Sequence, residues 1–195
     1  MPPAAIPTEI RPVRWRGRLQ LLAILAVVIG PMLLAGAMHR WRFWVPEGRS
    51  YHGELVATGQ GRADLGVEPA ADEAPRWQLL VTAPADCAED CRQLVYLARQ
   101  IHIGLGRDAD RGGHALAAGE PLAADYAGRL EREYPQLRRY RLQRAVYERA
   151  APGLPGAQLW IVDPLGNLVL RYGATTDGKG VLDDLRLLLK LSKIG

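Results

Sequence analysis

The sequence predicts an α/β domain carried behind a single membrane-spanning helix, and three observations predict it. Leu19 to Met38 runs without a charge, apolar strand-like runs alternate with helical patterns from Trp77 onward, and the only two cysteines fall where one such strand gives way to a helix.

Residues 1–18 come first. Met1 to Val13 is proline-rich and unpatterned, and Arg11, Arg14, Arg16 and Arg18 lead into the apolar run. Residues 19–38 supply about the 20 residues that a helix needs to cross a bilayer. Trp15 on one side and Trp41, Phe43 and Trp44 on the other suit headgroup anchoring. Arg40, Arg42 and Arg49 on the far flank weaken the charge bias without reversing it, so the expected N-terminus is cytoplasmic. The rest of the chain is then expected on the periplasmic side of the inner membrane. A cleaved signal peptide is the other reading, with Ala35-Gly36-Ala37 as its small-x-small site. The run exceeds the roughly 7–15 residues of a signal core, which favours an uncleaved anchor.

The composition bounds the rest. At 195 residues, 48% hydrophobic and 24% charged, the chain has room for one ordinary domain beside the anchor and is neither disordered nor repetitive. Its net charge of +4 comes largely from arginines, several of them flanking the membrane segment. No Gly-rich phosphate loop or aromatic-basic interleaving accompanies that charge, which argues against nucleic acid as a partner.

Residues 39–76 read as tether and peripheral cover, rich in Gly, Ala, Glu and Asp beyond Val45, with one possible strand at Glu54 to Thr58. Residues 77–195 read as the folded domain. Trp77, Leu79, Leu80 and Val81 make a buried strand that Pro84-Ala85-Asp86 ends. Beyond Cys87, apolar positions at Cys91, Leu94, Val95, Ala98, Ile101 and Leu105 follow the 3.6-residue period of a helix with one face on a core. His114 to Ala117 is a strand candidate. Pro121 opens a second helix carrying Leu122, Tyr126, Leu130 and Tyr134, and Pro135 ends it. Arg138 to Leu142 is a further short strand, and Tyr147 to Ala150 a helical turn. Gln158 to Val162 and Leu168 to Tyr172 flank the turn Asp163-Pro164-Leu165-Gly166-Asn167, which makes an antiparallel hairpin. Val181, Leu182, Leu185, Leu188 and Leu189 mark a terminal amphipathic helix. Lys190 and Lys193 sit at its C-terminal end, where cations suit the helix dipole.

Cys87 and Cys91 are the candidate chemistry. Four residues apart on a helix, two side chains share a face at roughly 5–6 Å between Cβ atoms, so both sulfurs can reach one partner. Unsatisfied amides at a helix start favour the thiolate, the form that attacks disulfides and binds soft metals. Asp86, Glu89 and Asp90 oppose a bare thiolate and favour a bound cation. Three readings stay open: a redox-active pair, a two-sulfur Cu(I) site, or a structural disulfide.

Strand, thiol-bearing helix, strand, helix, hairpin and final helix is the order of a thioredoxin-like domain. With the anchor ahead of it, the cysteine pair after an apolar strand and the Trp160-Ile161-Val162-Asp163-Pro164-Leu165-Gly166 hairpin, the chain resembles the Sco (SenC) family of cytochrome c oxidase assembly proteins from about Trp77 onward. The resemblance implies copper as cofactor, held by two cysteines and a distant histidine for the oxidase's binuclear copper centre. It also implies an oxidase subunit or other assembly factors as partners, at a membrane. Cys87 and Cys91 match the family's cysteines. Arg92 stands where the family usually has proline after the second cysteine. The stretch Ala150 to Gln158, where the family's histidine would lie, has none.

His39, His52, His102 and His114 are the remaining candidates, each expected in a surface or packing role. His52 is the least constrained, because the tether could fold back. His102 lies about 16 Å along the helix from Cys91. Leu154-Pro155 precedes the hairpin near the place where thioredoxin-like reductases carry a cis-proline, although an ordinary loop proline is equally expected there. The expected function is therefore an accessory protein for oxidase assembly, acting by Cu(I) handling or by redox control of a copper-site dithiol. The alternatives are an exported thiol-disulfide oxidoreductase and a non-catalytic scaffold, so whether the chain is an enzyme stays open.

Overall fold

The computed structural model describes residues 14–41, 51–56, 59–68, 74–154 and 156–192. They fall into two units, an N-terminal helix and a compact domain whose described residues begin at Tyr51. The helix, α1 (Arg14–Trp41), has 28 residues and contains Pro31. At 1.5 Å per residue it is about 42 Å long, more than a bilayer's hydrocarbon core requires. Its stretch Gly17–Met38 has a mean hydropathy of 2.5, and its apolar side chains, Leu22 and Val28 among them, are exposed. Length and composition fit it to lipid.

The domain is built on a six-stranded mixed sheet. Its strands are β1 (Glu54–Leu55), β2 (Trp77–Ala83), β3 (Gly112–Ala118), β4 (Arg138–Arg141), β5 (Gln158–Val162) and β6 (Leu168–Tyr172), in the order β1-β6-β5-β2-β3-β4. β2, β3 and β4 run parallel, whereas β5 is antiparallel to β2, and β6 and β1 continue antiparallel beyond it. β2 is central and buried along its whole length. Burial on both faces explains why it reads as a nearly continuous apolar run rather than as an alternation.

Each face of the sheet has its own core. Trp77, Leu79, Val81 and Ala83 from β2 join Leu159 and Ile161 from β5 on one face, against α2 (Glu89–Gly104), α3 (Ala124–Glu133) and α5 (Gly178–Leu191). Leu80, Trp160 and Val162 point the other way, to Tyr147 of α4 (Arg144–Ala150) and to Leu65 and Val67. The last two belong to the stretch read as cover, and they are 2% and 1% exposed. The helical period predicted after Cys87 is realised in full: Cys91, Leu94, Val95, Ala98 and Ile101 are all buried. Fully burying each large aliphatic contributes about 2 kcal/mol.

Turn chemistry fixes the hairpin. Asp163 Oδ1 accepts from the amides of Leu165 at 2.9 Å and Asn167 at 2.8 Å, and Gly166 supplies the φ of 90° that the reversal needs. On the opposite face of β2, the Thr82 hydroxyl accepts from the Trp160 indole at 2.9 Å and donates to the Tyr147 hydroxyl at 3.2 Å. That bond set satisfies polar groups which would otherwise be buried unpaired.

Candidate functional site

β2 delivers the cysteines to the C-terminal end of the parallel strands. Cys91 occupies the first turn of α2 and Cys87 lies two residues before it, so only one of the two is helical. They form a disulfide with Cα atoms 5.1 Å apart, inside the ~4.4–6.8 Å that a bridge spans. Cys87 is 7% exposed and Cys91 2%, both packed into the core that α2 shares with the sheet. The slightly more exposed residue of the pair is therefore the one nearer the N-terminus. Ala88 caps α2 with no side-chain acceptor, which leaves first-turn amides available to stabilise a thiolate. Asp86, Glu89 and Asp90 are exposed around the pair, where water screens them.

Arg92 has a role that the sequence showed only as a departure from proline. Its Nε donates to the Cys87 carbonyl at 3.2 Å, and its guanidinium lies 4.8 Å over the ring of Tyr126. Burial pushes the Tyr126 phenol up to about 12, so it stays neutral beneath the cation. α3 thereby fixes a permanent positive charge at the Cys87 turn, where it favours the thiolate.

The loop between β2 and Cys87 is held just as closely from behind. Gly119 donates its amide to the Ala83 carbonyl at 2.8 Å, and a Cβ at Gly119 would come nearer than 3.0 Å to the Pro84 carbonyl oxygen. Because that oxygen belongs to backbone, the loop itself would have to move. Gly119→Ala should cost about 1–3 kcal/mol of stability by displacing the Cys87 turn. Urea unfolding tests this, and an unchanged midpoint would refute the close contact.

The histidines are dispersed. His52 does fold back, but onto α5: its Nδ1 lies 2.9 Å from Asp184 Oδ1, and its amide donates to Asp184 Oδ2 at 2.7 Å. His102 and His114 pair with each other, ring centroids 5.0 Å apart, at the other end of β3 from the disulfide. Among the described residues, no group of three or more His, Cys, Asp and Glu side chains could hold a metal ion. The donor set at the pair is thus two thiolates once the bridge is reduced. Pro155 and the side chain of His39 lie outside the described residues.

A cleft of about 460 Å³ opens beside α2, lined in part by Asp90, Gln158, Arg171 and Thr175. Arg171 pairs with Glu54 at its wall, joining β6 to β1.

The sequence has no match among curated proteins. Among solved structures it is similar to copper-bound ScoI of Arabidopsis thaliana, with a TM-score of 0.47 and 10% identity over 60% of this chain and 86% of that one. It is similar to yeast Sco1 at a TM-score of 0.45 and 12% identity, over 60% of this chain and 85% of that one. A thiol:disulfide interchange protein from Bacteroides sp. gives 0.46 and 12%, over 74% of this chain and 95% of that one. Residues 11–42 match the transmembrane-like N-terminal domain family, in agreement with α1 as a single-pass membrane anchor. Residues 77–192, well over half of the chain, match the transmembrane-like, thioredoxin-like C-terminal domain family, and the chain belongs to that family.

Proposed function

We propose that this protein is a membrane-anchored accessory factor for cytochrome c oxidase assembly that works by thiol–disulfide exchange at Cys87 and Cys91. The observation that carries the exchange is the pair itself, within bridging distance at the end of the central strand, with Cys87 the more exposed residue. The oxidase as client rests on the resemblance of the cysteine spacing and the hairpin to the Sco family. The arginine flank of α1 supports a cytoplasmic N-terminus, which would leave the domain in the oxidising compartment where a copper-site dithiol needs a reductant.

The reduced pair acts in two displacements. The Cys87 thiolate attacks one sulfur of a client disulfide, forming a mixed disulfide and expelling a client thiolate. The Cys91 thiolate then attacks the Cys87 sulfur, releases the second client thiolate and closes the Cys87–Cys91 bridge. The client gains two electrons and this protein loses two. An external dithiol must return them before another cycle. Arg92, bonded to the Cys87 carbonyl, and the open first turn of α2 place positive charge beside the attacking residue, which favours its thiolate.

Cu(I) enters as cargo in a second reading, favoured by the same paired sulfurs. Two thiolates are soft donors that suit Cu(I), and no third side chain joins them among the described residues. In cells, Cys87→Ser combined with Cys91→Ser should lower oxidase copper content and activity. Normal copper and activity in that variant would end the oxidase reading. Cu(I) titration of the reduced full chain against a competing chelator separates cargo from exchange: one copper lost in the double variant supports carriage, and none leaves exchange alone.

A further inference from the structure

A second polar site lies at the opposite end of β3 from the disulfide. His114 stands inside that strand at 2% exposure, and neither of its ring nitrogens has a hydrogen-bond partner. Nε of Arg76 is also buried without a partner. An unsatisfied buried polar group costs about 1–3 kcal/mol, more when charged, so two at one place call for an occupant. They do share a place. Both residues line a cavity of about 410 Å³ between the end of α2, the start of β3 and the start of β4, with His102, Gln136 and Arg138. A smaller cavity of about 210 Å³ adjoins it, lined by Arg99, His102, His114, Tyr134 and Gln136.

The field in this cavity selects the sign of the occupant. Burial, His102 and Arg99 together push His114 down to about 4, so the ring is neutral and its surroundings already resist added positive charge. Arg76 adds a further guanidinium to the lining. The carboxylates nearby, Asp110 and Glu133, are exposed and therefore screened, whereas the unpartnered atoms are dry. A metal cation fits poorly here. His102 Nε2 already engages the Ala109 carbonyl at 3.1 Å, and no third ligand side chain is present among the described residues. An oxyanion answers the donors among these groups, because the Arg76 guanidinium and the single N–H of the neutral His114 ring can donate to it and its charge offsets that of Arg76. The sequence makes room for the arginine with Gly113, where a Cβ would meet Arg76 Cδ at 3.3 Å.

We infer that this cavity binds a small oxyanion, a carboxylate or phosphoryl group, held by the Arg76 guanidinium and the His114 ring. The site is independent of the thiol chemistry and lies at the far end of α2 from it.

The test uses the full chain in detergent with its 4 histidines labelled with ¹⁵N, so that the ring signals are few. Sodium phosphate and sodium acetate are titrated separately against sodium chloride at equal ionic strength. The expected result is a saturable shift of the His114 signals with phosphate or acetate and none with chloride, the tighter of the two naming the anion class. His114→Gln assigns the signals, and Arg76→Gln should weaken the affinity at least about tenfold. Arg76 lies ahead of β2 and partly in solvent, so its variant keeps the test usable if His114→Gln does not fold. Two results would overturn the site: His114 signals that respond to phosphate and acetate no more than to chloride, or Arg76→Gln binding as tightly as the parent. Saturable shifts with zinc chloride alone would overturn it equally.

Discussion

Cys91→Ser is expected to leave a protein that attacks a client disulfide and then stalls as a mixed disulfide, whereas Cys87→Ser captures nothing. The asymmetry follows from the two displacements and from the burial of Cys91 at 2% against 7% for Cys87. Without Cys91 no internal thiolate can resolve the intermediate, so turnover falls about a thousandfold or more while capture persists. Non-reducing electrophoresis of membranes from cells carrying each variant reads the result directly. Equal capture by both variants, or by neither, would sink the assignment of Cys87 as attacking sulfur. The scaffold reading makes a different prediction that thermal unfolding checks. The bridge closes only a loop of sequence separation 4, so by chain entropy it stabilises the fold by about 2 kcal/mol. If the disulfide is merely structural, the double alanine variant loses about 6 °C of Tm and keeps its cellular activity wherever it stays folded. If it is redox-active, activity vanishes at temperatures where the variant is fully folded.

Local residue patterns account for much of this architecture. The period that predicts α2 needs only Cys91, Leu94, Val95, Ala98 and Ile101, because a helix with one face on a sheet must place its apolar residues there. The hairpin is equally plain, since Asp163, Gly166 and Asn167 specify their turn through local hydrogen bonds. β3 is harder to read. Gly112-Gly113-His114 carries little strand propensity, and its place as a parallel neighbour of β2 is dictated by tertiary pairing. Arg92 is visible in the sequence only as a missing proline. Its function depends on Tyr126, thirty-four positions on and brought beside it by α3, which no local pattern encodes. The same holds for His114 and Arg76, whose significance is that they lack partners in a shared cavity. His52 and Asp184 are the most distant case, 132 residues apart, with no motif to join them.

That pair supports the other large effect. Asp184 is 2% exposed inside α5, and its carboxylate accepts from the amides of His52 at 2.7 Å and Gly53 at 3.0 Å, from the Tyr172 hydroxyl at 2.7 Å and from the His52 ring at 2.9 Å. It pins the segment leading into β1 against the sheet's edge. Asp184→Ala removes both acceptor oxygens, so the buried Gly53 amide and Tyr172 hydroxyl lose their partner, and the part-buried His52 amide with them. The expected cost is about 3 kcal/mol, or about 10 °C in Tm. The pH profile gives the mechanism. Burial alone would raise the Asp184 carboxyl, but the bonds from His52, Tyr172 and Gly53 prevail and hold it below its ordinary 3.8. Its contribution is present above that value and is lost as pH falls through the lowered folded value. The hydrogen bond and charge of Asp184 raise His52 above its ordinary 6.5, so the ring's contribution is complete below 6.5 and fades as pH rises through the raised value. The gap between parent and Asp184→Ala should therefore be widest between 3.8 and 6.5 and narrow on both sides, more steeply in acid, because the ring of His52 is solvent-exposed and its share is screened. Chemical denaturation at about pH 3, 5 and 8 measures it. A gap that stays constant across that range would mean that Asp184 acts through packing alone, with no charge held at the edge of the sheet.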